Sequence, residues 1–278
     1  MRRTLSKTVN WVACFGLKLL VVFLFFVPIF LAIIYSLKTE LEIAHSGLAL
    51  TRNLTLNNYV RGLQTSGFLT AFRNSIITTI PTVVIVIMLC SPCAFALSRT
   101  NHPVMKRSYY VFIASMLIPF QTLMLPIYVN LKTLNLFNNL IGYILVRVGF
   151  QIAYNILIFT GFIKTVPVAL EEAAYIDGLS VYTTFWRIVF PLLKPIVVTA
   201  LIINTVYSWN EFQTALIILQ RTVMRTLPLL QYSFFGEHYT DLGLAFAVFN
   251  MSVLPLLAIY LIAQKRIIGG LTAGAVKS

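Results

Sequence analysis

The chain has 278 residues, 59% of them hydrophobic and only 10% charged, with a mean hydropathy of +0.86. That balance excludes a soluble domain of this length and requires an integral membrane protein. A formal net charge of +13 could suggest nucleic acid, but a groove reader needs a dense basic face; here the basic residues are scattered between apolar runs, so nucleic acid is not expected as a partner.

Arg2, Arg3 and Lys7 precede the first apolar run, 15–37, whose uncharged part has the length needed to cross a bilayer. Lys38-Thr39-Glu40 follows it, where a cleaved signal would show small residues, so an uncleaved first span is expected. Residues 38–73 are mixed and polar and predict an ordered external loop or short helices. The second span, 75–97, is interrupted by Pro81 and Pro92, and Arg99, His102, Lys106 and Arg107 then form a short basic loop. Cys90-Ser-Pro-Cys93 lies inside the second span with no histidine nearby, so it reads as small packing residues rather than a redox or metal site.

The third span, 109–131, holds Pro119 and Pro126 and is expected to be kinked. A turn over Asn135 to Asn139 leads to the fourth, 140–163, with the lone charge Arg147. The fifth, 196–219, carries Asn204, Ser208, Trp209, Asn210 and Glu211. A polar external segment, 220–241, includes Arg221, Arg225, Glu237 and His238. The sixth, 242–263, contains Pro255 and is closed by Lys265 and Arg266 before a small, flexible tail. The fold class is thus all-α, a single transmembrane domain with six helices. The larger basic set, from Arg2 and Arg3 through Arg99, Lys106, Arg107 and Lys164 to Lys265 and Arg266, lies in short segments beside span ends, and the positive-inside bias makes that side and both termini cytoplasmic.

Between the fourth and fifth spans lies a charged island, 164–195, with Glu171, Glu172, Asp177, Arg187 and Lys194. Burying each of these at a bilayer centre costs ~2.5–3.5 kcal/mol on insertion scales, so the island sits outside the hydrocarbon. Pro167 suits a first helical turn, Gly178 a left-handed cap, Ser180 the start of a second helix and Pro191 its end. Ala169, Ala173 and Ala174 give the first helix a small face. From periodicity alone, a docking surface and an ordinary interfacial helix are equally open readings.

The order Glu172-Ala173-Ala174, Gly178, Ile188 and Pro191 resembles the EAA loop of binding-protein-dependent ABC importer permeases. The surrounding EAAYIDG, Phe185 to Ile188 and PLLKP are most similar to the carbohydrate branch that includes the second maltose-transporter permease; Phe190 stands where the broad pattern has Leu. The resemblance implies a multi-pass subunit of the bacterial inner membrane that pairs with a second, non-identical permease and with ATPase subunits, and receives a sugar from an extracellular or periplasmic solute-binding protein. It implies that Glu171, Glu172, Ala173, Ala174, Asp177, Gly178, Ile188 and Pro191 form the ATPase-coupling loop, and that ATP and Mg belong to the partner, this chain binding no cofactor. Contact of segment 220–241 with the solute-binding protein is a further implication, with a plain connector as the other reading.

The sequence contains no GxxxxGK[ST] phosphate loop, HExxH or GxSxG; its three histidines are far apart, and no catalytic or metal-ligating group is expected. Trp209, Asn210 and Glu211 could border the substrate pathway, the indole stacking on a sugar face, or could hold helices together; both readings stay open. Arg147, two turns from its helix end, is expected to snorkel outward. The alternative to an importer permease is a self-sufficient ion-coupled carrier or channel, which would need its own coupling residues, and Glu211 is the one carboxylate at membrane depth.

Overall fold

Long apolar runs satisfy their backbone polar groups internally only as helices, and the chain consists of them. A computed structural model describes residues 2–47, 49, 54–235 and 241–275, with side chains described between Cys14 and Ile262. Arg52, Glu237, His238 and Lys277 fall outside the described residues.

The helices are α1 (Arg2–Ser36), α2 (Glu40–Ser46), α3 (Asn57–Gln64), α4 (Phe68–Arg99), α5 (Pro103–Ser115), α6 (Phe120–Thr133), α7 (Leu140–Ile163), α8 (Ala169–Ile176), α9 (Val181–Leu192), α10 (Lys194–Trp209), α11 (Gln213–Ile218), α12 (Leu227–Tyr232) and α13 (Leu242–Ala275). No strand occurs among the described residues. Four helices are long and apolar enough to cross a membrane: α1 from Cys14, α4, α7, and α13 as far as Ile262. Two bent pairs, α5 with α6 at 101° and α9 with α10 at 76°, raise the number to six if each pair crosses once.

The chain divides into two units, residues 1–68 with 231–254 and residues 69–230 with 255–278. In the first, Asn250 of α13 donates to the Ala32 carbonyl, Ser36 Oγ and Tyr59 Oη, and Asn58 of α3 donates to the carbonyls of Ser36 and Lys38. The bond from Asn58 to Ser36 satisfies a carbonyl left open at the end of α1. Arg61 pairs with Asp241 at 2.8 Å, and the same carboxylate caps the Leu244 amide at 2.8 Å. Lys38 is fully buried and donates to the Gly47 carbonyl at 2.7 Å.

In the second unit, Val86, Cys90 and Phe95 of α4 pack with Ile156, Phe159 and Ile163 of α7 and with Phe185 and Val189 of α9. Cys90 fills the packing role its context predicts; its thiol contacts the Ile152 carbonyl at 3.7 Å. The prolines of α4 do not interrupt it: the helix runs through Pro81 and Pro92 and begins seven residues before the expected span. The kink expected in the third span is instead a break, with Pro119 capping the start of α6. Asn135 and Asn138 take φ of 56° and 53° to make the turn before α7, and Gly142 then passes so close that a Cβ there would lie 2.2 Å from the Leu136 carbonyl oxygen.

Part of the expected polar external segment is stitched down. Asn74 donates to the carbonyls of Val223 and Arg225, Ser75 Oγ accepts from the Leu227 amide, and Asn138 Oδ1 accepts from the Arg221 amide. Leu227, Leu229 and Leu230 are buried. The tail expected to be flexible continues as helix to Ala275.

Candidate functional site

The charged island folds as the helix, turn and helix that its punctuation predicts. The α8 helix ends in a Schellman arrangement: the Gly178 amide bonds the Tyr175 carbonyl at 3.1 Å and the Leu179 amide bonds the Ala174 carbonyl at 3.0 Å. Gly178 sits at φ +79°, where a side chain is strained. Ser180 Oγ then accepts from the Thr183 amide at 3.2 Å and caps α9. One turn of α9, Phe185–Val189, is a π-helix, three residues before its end and just ahead of Pro191. Such turns often occur at functional positions.

The structure separates the island residues by exposure. Glu172, Ala173, Asp177, Gly178 and Pro191 are exposed, Ile188 is half-buried, and Glu171 and Ala174 are buried. Thus the two adjacent glutamates point differently: Glu172 to solvent, and Glu171 to Arg99 with an N–O distance of 2.7 Å. Partial burial and then the Glu171 carboxylate push the Tyr175 phenol up, against the lowering influence of Arg99, so Tyr175 stays neutral at physiological pH. No sequence signal pairs Arg99 with Glu171, which stand 72 positions apart.

A second polar constellation joins α7 to α10. Tyr143, Arg147, Gln151 and Asn155 recur every four residues and so form one stripe along α7, facing Asn204 and Ser208 of α10 and Glu211 just beyond it. Gln151 Nε2 donates to Ser208 Oγ at 2.8 Å. Asn155 and Asn204 exchange reciprocal amide bonds at 2.9 and 2.8 Å, and each gives its remaining N–H to a carbonyl one turn back on its own helix.

Glu211 lies in a break of the expected fifth span, between α10 and α11. Its oxygens accept from the Thr214 amide at 2.8 Å, the Ala215 amide at 3.2 Å and the Tyr143 hydroxyl at 2.9 Å. A carboxylate at a helix start satisfies open amides and the local dipole. Arg147 does not snorkel as expected: it is 2% exposed, 3.9 Å from Glu211 and stacked at 4.7 Å over the Tyr207 ring. The reason is a paired carboxylate and an aromatic face within reach, which outcompete the path to the surface. Trp209 is buried with its edge to Phe72, and Asn210 is exposed and bonds the Val206 carbonyl.

Beside this seam, α5, α6, α7 and α10 enclose a cavity of ≈ 750 Å³ lined by Phe120, Phe150, Gln151, Tyr154, Asn204 and Tyr207, among others. The Gln151 side-chain oxygen is buried without a hydrogen-bond partner among the described residues.

The family model described as binding-protein-dependent transport system inner membrane component matches residues 74–271, which takes in both constellations. The chain belongs to that family. As an inner membrane component it is similar to the multiple sugar-binding transport system permease protein MsmG of Streptococcus mutans, 35% identical over 91% of this chain and 92% of that protein. It is 32% identical to the melibiose/raffinose/stachyose import permease protein MelC of Bacillus subtilis, over 91% of each. Its fold resembles a chain of a bacterial ABC transporter involved in the import of the acidic polysaccharide alginate, with a TM-score of 0.82 at 22% identity, covering 94% of this chain and 97% of that one. This inner membrane component is therefore a multi-pass transport permease.

Proposed function

We propose that the chain is one of two non-identical permeases of an ATP-driven importer for sugars or oligosaccharides, with both termini and the α8–α9 hairpin in the cytoplasm. The observation that carries the coupling role is the hairpin itself: a rigidly capped helix that presents most of its surface to solvent within the island whose residues match the EAA pattern. The basic residues beside it, Arg99, Lys106, Arg107 and Lys164, support a cytoplasmic position. Sugar as cargo is supported by the names of the relatives and by the aromatic and amide lining of the cavity.

In this reading a solute-binding protein delivers the sugar on the outer side, and ATP with Mg acts on the partner ATPase. Closure of the ATPase displaces α8 as a body, because packed interfaces move between discrete arrangements rather than deform. The α7–α10 seam carries that displacement upward, since α8 and α9 connect those two helices. The substrate pathway runs along the cavity past Tyr154, Gln151 and Tyr207, with Asn210 exposed beyond it, while Trp209 and Glu211 shape the helix break at its edge.

The deciding experiment reconstitutes the chain with its second permease, ATPase and solute-binding protein in vesicles and measures uptake of radiolabelled oligosaccharides. ATP-dependent uptake that disappears without the ATPase is expected. Uptake by this chain alone under a proton or sodium gradient would overturn the reading in favour of an ion-coupled carrier. The engagement of Glu211 by two amides, a tyrosine and an arginine argues against such a carrier, because the carboxylate is already committed.

A further inference from the structure

Six of the eight residues of α8 are exposed, and the two that face inward are Glu171 and Ala174, one turn apart. A single methyl group gives little grip. The hold of the permease on this helix is therefore concentrated in the Glu171 carboxylate, 2% exposed, and in what meets it. That group is Arg99, the last residue of α4. Its Nε donates to Glu171 Oε1 at 2.8 Å, and its Nη2, 2.7 Å from the same oxygen, also donates to the Val166 carbonyl at 2.8 Å. Val166 lies in the lead-in between α7 and α8, so one guanidinium grips both the helix and the segment that delivers it. A planar fork sets its donors at a fixed spacing that meets both acceptors, whereas an ammonium is a single point on a flexible stem and holds that geometry less firmly.

We infer that Arg99 is a positioning residue that makes α4 move with α8, an inference that rests on the coupling role proposed for α8. The helices α7 and α9 follow α8 because the chain joins them to it. By contrast, Arg99 of α4 is 72 positions from Glu171, and its guanidinium is the direct polar link from α4 to α8, added to the apolar packing of α4 on α7 and α9. Without it, the ATPase still finds the exposed face of α8 and still moves it, but the end of the 32-residue helix α4, left with only its apolar packing on α7 and α9, follows less fully. The expected defect is hydrolysis without transport, which differs from the loss of docking expected at the exposed residues.

The test uses the assembled transporter with Arg99→Gln/Glu171→Gln, a neutral pair that leaves no unpaired charge. ATPase co-purification and hydrolysis stay near wild type, while uptake per ATP falls about ten-fold, the size that changes along a coupling network produce. The reversed pair Arg99→Glu/Glu171→Arg restores part of the coupling, and Arg99→Lys, which keeps the charge without the fixed fork, falls between. Wild-type uptake per ATP in the neutral pair overturns the inference, as does a proportional fall of uptake, hydrolysis and ATPase content, which marks a merely structural role. In the otherwise wild-type complex, a nitroxide pair at Thr100 and Val168, the exposed residue just before α8 and outside the assigned coupling residues, keeps its separation between nucleotide-free and ATP-trapped states. A change in that separation overturns the inference even where the charge variants assemble poorly. If the wild-type chain captures no ATPase, the coupling role of α8 fails; if it does and the neutral pair still couples, only the role of Arg99 fails.

Discussion

Replacing Asn155 by leucine tests whether the α7–α10 seam is a structural joint. Asn155 and Asn204 are each almost fully buried and exchange two hydrogen bonds of 2.9 and 2.8 Å. The Asn155→Leu change orphans one acceptor and one N–H on Asn204, and at about 1–3 kcal/mol for each buried unsatisfied group the single variant loses about 2–6 kcal/mol. Asn204→Leu does the mirror-image damage. The double variant orphans neither group, so it loses less than the sum of the two. Interhelical pairs measured in bilayers couple by about 0.6 kcal/mol on average and about 1.7 at most. A reciprocal pair with both N–H groups engaged belongs near the top of that range, roughly a fifteen-fold effect on the unfolding constant. The assay is a double-mutant cycle on reversible unfolding in mixed micelles. If the two single losses add to within about 0.3–0.5 kcal/mol, the pair is not a joint and the seam cannot be the element that carries α8's displacement.

Gly178→Leu is expected to cost about 1–2 kcal/mol locally, from the positive φ alone. A Cβ there meets nothing within 4 Å, so the turn is not filled but strained. Pull-down of the ATPase should weaken for Leu and much less for Gly178→Asn; equal, undiminished yields would count against the turn's role. Gly142→Ala forces a Cβ against the Leu136 carbonyl oxygen, and thermal unfolding in detergent should register a loss of about 1–3 kcal/mol, typical of overpacking; an unchanged midpoint would refute the close approach. Glu211→Leu leaves Arg147 buried without its carboxylate and should cut membrane-inserted yield sharply, since breaking a buried pair costs about 3–5 kcal/mol. Normal yield with normal uptake would show that Glu211 holds nothing.

The hairpin was legible because its signals are local: Gly178, Ser180 and Pro191 each constrain the backbone within a turn of themselves. The α7 polar stripe was legible in principle from its four-residue spacing, yet Arg147 was read alone, because periodicity on one helix says nothing of which helix faces it. Glu211 looked like a candidate for substrate contact since 196–219 was read as one continuous span with a carboxylate inside it; the helix break that it caps is a tertiary feature. Prolines misled in both directions. Pro81 and Pro92 sit inside a continuous helix, whereas Pro119 marks a 101° corner, and only the neighbours that re-satisfy freed carbonyls decide between those outcomes. The pairing of Arg99 with Glu171 joins segments that no local rule connects.

The outward side of α8 and α9 has a consequence for the life of the subunit before it meets its partners. Ile176 is 87% exposed, and Leu170, Val181 and Tyr182 stand bare near it. Newly made copies in excess of their ATPase therefore display a sticky knob in water, of the kind that quality-control proteases and chaperones recognise. Cellular levels of the permease should then track those of the ATPase, so that the side chains proposed to transmit force would also ration how much of the machine is built.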